Sequence, residues 1–169
     1  MTTKLLTIIA CIVFFTAKAF SQQFEVPNAT LNTKEDYVKY EKDVIAAVNW
    51  LETTPLGNED DKRKLASAFV LQWITGSPTV TVSVGGDLLL KTTKKNPELL
   101  ILFMGAYTRY SLQNNYDTSR VNGYIAGAKS MVALYKLGGK VKKDKVMDEM
   151  VKAVDDGKLD DYVKEKLMK

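Results

Sequence analysis

The chain contains no histidine, and its only cysteine is Cys11. Without an imidazole there is no Ser-His-Asp triad, no zinc site built on His and Cys, and no histidine pH switch. Without a second thiol there is no internal disulfide. Many small exported domains are stapled by disulfides, so this one must stand on its apolar core. Proline is scarce too, with four in 169 residues, so each marks a boundary. Charge of one sign is missing as well: the net charge is +4. That is too weak to argue for nucleic acid as a partner.

The one long apolar run that might suggest a membrane lies at the start. Lys4 precedes an apolar stretch over residues 5–15, broken only by Thr7. Small residues follow at Ala17, Ala19 and Ser21. A positive start, a short apolar middle and a small-residue end are the layout of a secretory signal peptide. The run is too short for a spanning helix, which needs about 20 apolar residues. Ile8-Ile9-Ala10-Cys11 resembles a lipidation site, but the apolar run continues past Cys11. The expected cut falls after Ser21, with a cut after Ala19 as the alternative. It removes Lys4 and Lys18 and lowers the net charge from +4 to +2. The expected location is therefore periplasmic or secreted, and the lack of cysteine points to a bacterial envelope.

Residues 22–32 have no helical period and read as an extended arm around Pro27. From Thr33 the pattern becomes helical. Thr33 is a capping residue, and Glu35 and Asp36 suit the positive end of the helix dipole. Tyr37, Tyr40, Val44, Val48 and Leu51 then recur at three and four. Pro55 ends this helix. The next begins near Asn58, and its half at 65–74 is apolar apart from Ser67 and Gln72, which predicts burial on all sides. Gly76-Ser77-Pro78 stops it.

Residues 79–84 alternate valine with threonine or serine, the period of a strand. A lone strand leaves backbone groups unpaired. This one pairs with the arm, pairs with another chain, or is only an extended crossing. A short helix is expected over 87–92. Asn96-Pro97 then opens a strongly apolar helix to about Asn114, with Asn96 as its cap. Another helix starts at Asp117 or Thr118 and ends at Gly138-Gly139. Asp144 caps the next, Gly157 breaks it, and a last amphipathic helix carries Leu159, Tyr162, Val163 and Leu167. No segment recurs about 34 residues further on, so no helical-repeat array is expected. The fold class is all-α, a bundle of about five to seven helices over residues 33–169, with one extended segment near 79–84.

Few residues suggest chemistry. Arg109 lies in the most apolar helix between Tyr107 and Tyr110. A buried guanidinium needs an acid or several carbonyls, from a ligand or from the fold itself. Phe103, Tyr107, Tyr110 and Asn114 share a face, and aromatic rings with polar tips suit sugars and peptides. Tyr107, Arg109, Tyr110 and Asn114 are therefore the candidate ligand-binding residues. Gly105, Gly123 and Gly127 sit inside helices at a cost of about 1 kcal/mol each relative to alanine, which points to close helix approach. Among the acids, Glu52 beside Trp50 and Leu51 is the best placed for carboxylate catalysis. Lys136, Lys140, Lys142, Lys143 and Lys145 form a basic stretch diluted by Asp144, and anionic lipid is its functional reading.

The expected function is binding or scaffolding in a cell envelope, with no metal or cofactor and with an envelope protein or polymer as partner. One alternative is an all-α hydrolase that uses carboxylates on an envelope polymer. Another is an assembly subunit that pairs through residues 79–84.

Overall fold

The computed structural model describes residues 24–169, so the expected leader over residues 1–21 and Cys11 lie outside the described residues. Eight α-helices follow in order: α1 Lys34–Lys39, α2 Glu41–Thr53, α3 Asp60–Gly76, α4 Asp87–Lys95, α5 Pro97–Gln113, α6 Arg120–Leu137, α7 Lys145–Asp155 and α8 Leu159–Tyr162. The last continues into one π turn, Val163–Leu167. The chain is all-α, as expected.

Thr33 caps α1 in a reciprocal box with Asp36. The helix expected from Thr33 to Thr53 is in fact two, because Tyr40 leaves helical geometry at φ −94° and ψ 7°. The rings on either side of that break rest edge-on against α3. Tyr37 meets Trp73 at 5.9 Å, and Tyr40 meets Phe69 at 6.4 Å. The arm is extended, and Phe24 packs on Trp50 at 5.8 Å. Lys62 stands over both rings, 5.6 Å from Phe24 and 5.2 Å from Trp50.

α3 corrects one expectation. It is not buried all round, because Leu65 is 62% exposed and Leu71 41% exposed. Arg63, Ala66, Phe69, Val70 and Trp73 form its inner face at helical spacing. Leu65 and Leu71 are apolar but out of phase with that stripe.

α5 and α6 form the centre. A Cβ on Gly123 would lie 2.3 Å from the Tyr107 ring, and one on Gly127 would lie 2.4 Å from the Phe103 ring. The register rises along one helix as it falls along the other, so the pair is antiparallel. Gly105 faces α2, where a Cβ would stand 2.8 Å from Val48. The three helical glycines thus mark close approach.

Residues 79–84 are extended but join no ladder among the described residues. The segment therefore does not pair with the N-terminal arm. Val80 is buried, and Val84 turns outward at 41% exposure. Tyr124 holds the end of the segment by donating to the Gly85 carbonyl at 3.0 Å. Asn96 is the N-cap residue of α5 with Pro97 in its first turn, as expected. Its side chain makes no cap bond to α5. Instead it clamps Lys142, donating to the carbonyl at 2.9 Å and accepting from the amide at 2.8 Å. α6 begins at Arg120 with Ser119 as its cap, slightly later than the sequence suggests. Asp144 caps α7 as expected.

The pH dependence follows from which groups titrate. Asp36 accepts the amides of Asn32 and Thr33, which hold its carboxyl below the usual range. The Tyr110 hydroxyl, the Asn122 amide and the Ser119 backbone amide do the same for Asp117. A depressed carboxyl stabilises the fold above its unfolded value and loses that contribution as pH falls through its folded value. Burial pushes the Tyr162 phenol up to about 12, away from neutrality. With no histidine, the unfolding midpoint should stay flat from about pH 5 to 7 and fall below about pH 4. A urea midpoint measured across that range checks this; a step near pH 6.5, the ordinary histidine value, would contradict it.

Candidate functional site

The four residues singled out in the sequence do not converge. Tyr107 is 2% exposed, and its ring lies over Gly123 on α6. Arg109 turns instead to α2. Its Nη2 donates to Glu52 Oε2 at 2.6 Å, and its Nη1 donates to Asn49 Oδ1 at 2.5 Å. Tyr110 donates to Asp117 Oδ2 at 2.7 Å. Asn114 folds back onto the Tyr110 carbonyl at 2.7 Å. Each has a partner within the fold.

Glu52 is equally occupied, since Ser130 also donates to its Oε2, at 2.8 Å. Arg109, Glu52 and Ser130 therefore tie α5, α2 and α6 together. A hydrogen bond between such charged groups contributes more than a neutral one. Glu52→Gln should destabilise the fold by about 1–2 kcal/mol, because it leaves a half-buried guanidinium facing a neutral amide. Thermal unfolding of the variant and of the Arg109→Gln, Glu52→Gln double variant measures the coupling. Additive losses in the double variant would contradict the pairing.

The basic stretch is divided among several contacts. Lys136 pairs with Asp155 at 3.0 Å, and Lys140 pairs with Asp60 at 3.1 Å. Among the described residues, no group of three or more His, Cys, Asp or Glu side chains could hold a metal ion. No described helix is long and apolar enough to cross a membrane.

The largest cleft described, about 620 Å³, lies between α3 and the first turns of α5. Leu56, Pro97, Leu100 and Ile101 supply its apolar surface. Asp60, Arg63, Lys64, Glu98 and Lys140 supply charge. The loop after α2 and the loop after α6 meet at its edge, where the Lys140 amide donates to the Leu56 carbonyl at 2.8 Å. Gly139 makes that approach possible. Its φ is +75°, and a Cβ there would lie 2.3 Å from the Leu56 oxygen.

Arg63 is the unusual member. It is 7% exposed, and its Nη2 donates to the carbonyls of Leu51 and Thr54. These are orphan carbonyls at the end of α2, so Arg63 caps that helix from α3. Its Cζ stands 5.6 Å from the Trp50 ring centroid. Its Nε is buried and has no hydrogen-bond partner. Burial lowers the pKa of the guanidinium from its ordinary value, and the charges of Glu98 and Asp60 oppose that shift. No carboxylate forms an ion pair with it among the described residues.

No protein-family model matches the chain, and neither a curated protein nor a solved structure matches it. The cleft is therefore the feature of the fold that bears on function. Sequence reasoning passed over Arg63, yet a signal was present. Arg63 shares the spacing of Ala66, Val70 and Trp73, which puts a cation on the inward face of α3.

Proposed function

We propose that the chain is an exported binding protein that seats a small amphipathic ligand in the cleft between α3 and α5. The leader pattern over residues 1–21 supports export. The cleft carries the binding reading. Its volume of about 620 Å³ lies within the range of small-molecule sites, and it joins an apolar floor to a few charged groups. Arg63 stands in the same wall, so the cleft joins a cation to its apolar floor. The Arg109–Glu52–Ser130 contacts are accounted for by packing, so they lend no weight to a hydrolase.

The test fills the cleft. Ser67 is half-buried on its α3 wall. Ser67→Trp should abolish binding of a hydrophobic fluorescent dye to residues 22–169 while leaving the helical circular-dichroism spectrum unchanged. Undiminished dye binding by a folded Ser67→Trp variant would reject the cleft as the ligand site.

A further inference from the structure

We infer that residues 79–84 form a self-pairing edge, through which two copies of this chain join antiparallel across a two-fold axis. The inference is independent of the cleft.

Two observations support it. The first is a segment held extended with one edge open. Ser77 Oγ accepts the Thr79 and Val80 amides at 3.3 and 3.1 Å, which fixes the start. Tyr124 donates to the Gly85 carbonyl at 3.0 Å, which fixes the end. Along an extended chain, successive residues turn their amides and carbonyls to opposite edges. The Tyr107 hydroxyl stands beside the Ser83 backbone, so tyrosines of α5 and α6 occupy the edge of Ser83 and Gly85. Val82 and Val84 belong to the other edge, and neither makes a backbone–backbone hydrogen bond among the described residues. A strand already held extended loses little further conformational entropy when a second one joins it.

The second is the composition of the segment. Strand edges are normally blunted by charge, by proline or by a covering element. Residues 79–84 hold no charge and no proline, and Thr81 and Val84 are exposed. Thr79 to Ser83 and Val80 to Val84 each read nearly the same in either direction. With the axis at Thr81 or at Val82, an antiparallel copy therefore sets valine across from valine and hydroxyl across from hydroxyl. Val80 is buried and Val82 packs on the core, so the valines of each copy already share one face. A two-fold pairing keeps both sets of valines on that face. An uncharged edge offers a charged peptide no complement, and the matched alternation selects a second copy.

The test is sedimentation velocity of residues 22–169 across a concentration series. The mass should rise from one chain towards two. Val82→Pro removes an amide from the open edge and should abolish the dimer, with the helical circular-dichroism spectrum unchanged. Proline also constrains the segment itself, so two variants at the exposed Thr81 decide. With either axis, position 81 lies directly or diagonally across from position 81 of the other copy. Thr81→Lys and Thr81→Glu should each weaken the dimer about three- to fivefold, and their equimolar mixture should restore it. A chain that stays monomeric at every concentration would overturn self-pairing, and a strand of another protein would be the remaining occupant. A dimer that tolerates Val82→Pro, or charge variants whose mixture associates no more tightly than either alone, would overturn it by placing the interface elsewhere.

Discussion

Trp73→Ala should cost about 3–5 kcal/mol of folding stability, the usual range for deleting a fully buried large aromatic side chain. Trp73 is 0% exposed at the centre of the α3 inner face. Its indole Nε1–H donates to the Tyr37 carbonyl at 3.0 Å, and the Tyr37 ring packs edge-on at 5.9 Å. The deletion therefore opens a cavity, strands a carbonyl and loosens α1 together. In a domain of this length, each kcal/mol lowers Tm by about 2–4 °C. Leu71→Ala, two positions earlier on the outer face, should change stability by less than about 0.5 kcal/mol. Chemical denaturation of the two variants measures the contrast. Similar losses for both would mean that α3 is buried all round.

Gly127→Val should destabilise the chain by about 3 kcal/mol, the upper end of the overpacking range. Removing a glycine from a helix normally helps by a few tenths to about 1 kcal/mol. Here the sign reverses, because the new Cβ would meet Phe103 ring atoms at 2.4, 2.6 and 2.9 Å. The ring has no room to retreat. It is 0% exposed and stands edge-on to Tyr124 at 5.1 Å. Relief would require α5 and α6 to separate, breaking the longest packed contact in the bundle. Gly85→Ala is the control. Its Cβ would come no nearer than 3.9 Å to the Tyr124 hydroxyl, so its effect should lie within about 0.5 kcal/mol of zero. A neutral Gly127→Val would contradict the described register of α5 on α6.

Local signals in the sequence were strong where one residue type does one job. Thr33 as a cap, Pro55 after α2, Gly138 after α6 and Asp144 before α7 each act through backbone geometry within a turn or two. The helical glycines were legible for the same reason: a glycine in a helix needs an explanation, and close approach supplies it. One misreading and one omission share a cause, which is counting residue type without phase. The stretch 65–74 is rich in apolar residues, but Leu65 and Leu71 point away from the stripe that defines the core. Arg63 carries a charge, but it lies on that stripe.

Asn96 holds the cap position that the sequence indicates, but its side chain works elsewhere. Its flanking Pro97 suggested a local cap, and its true partner, Lys142, comes from a distant loop. The candidate cleft could not be read from spacing at all. It exists only because the Leu56 loop, α3, the start of α5 and Lys140 meet in space, and no periodicity within any one of them announces the others. Tyr107, Arg109 and Tyr110 are neighbours in the chain. They part company in the fold because a helix turns about 100° per residue.

The most direct test of the central claim is a backbone amide chemical-shift map of residues 22–169 saturated with a hydrophobic dye. The cleft account predicts perturbations clustered on Leu56, Asp60, Arg63, Ser67, Leu100 and Lys140. Perturbations centred instead on the surface of Glu149, Lys152, Tyr162 and Lys166 would contradict it.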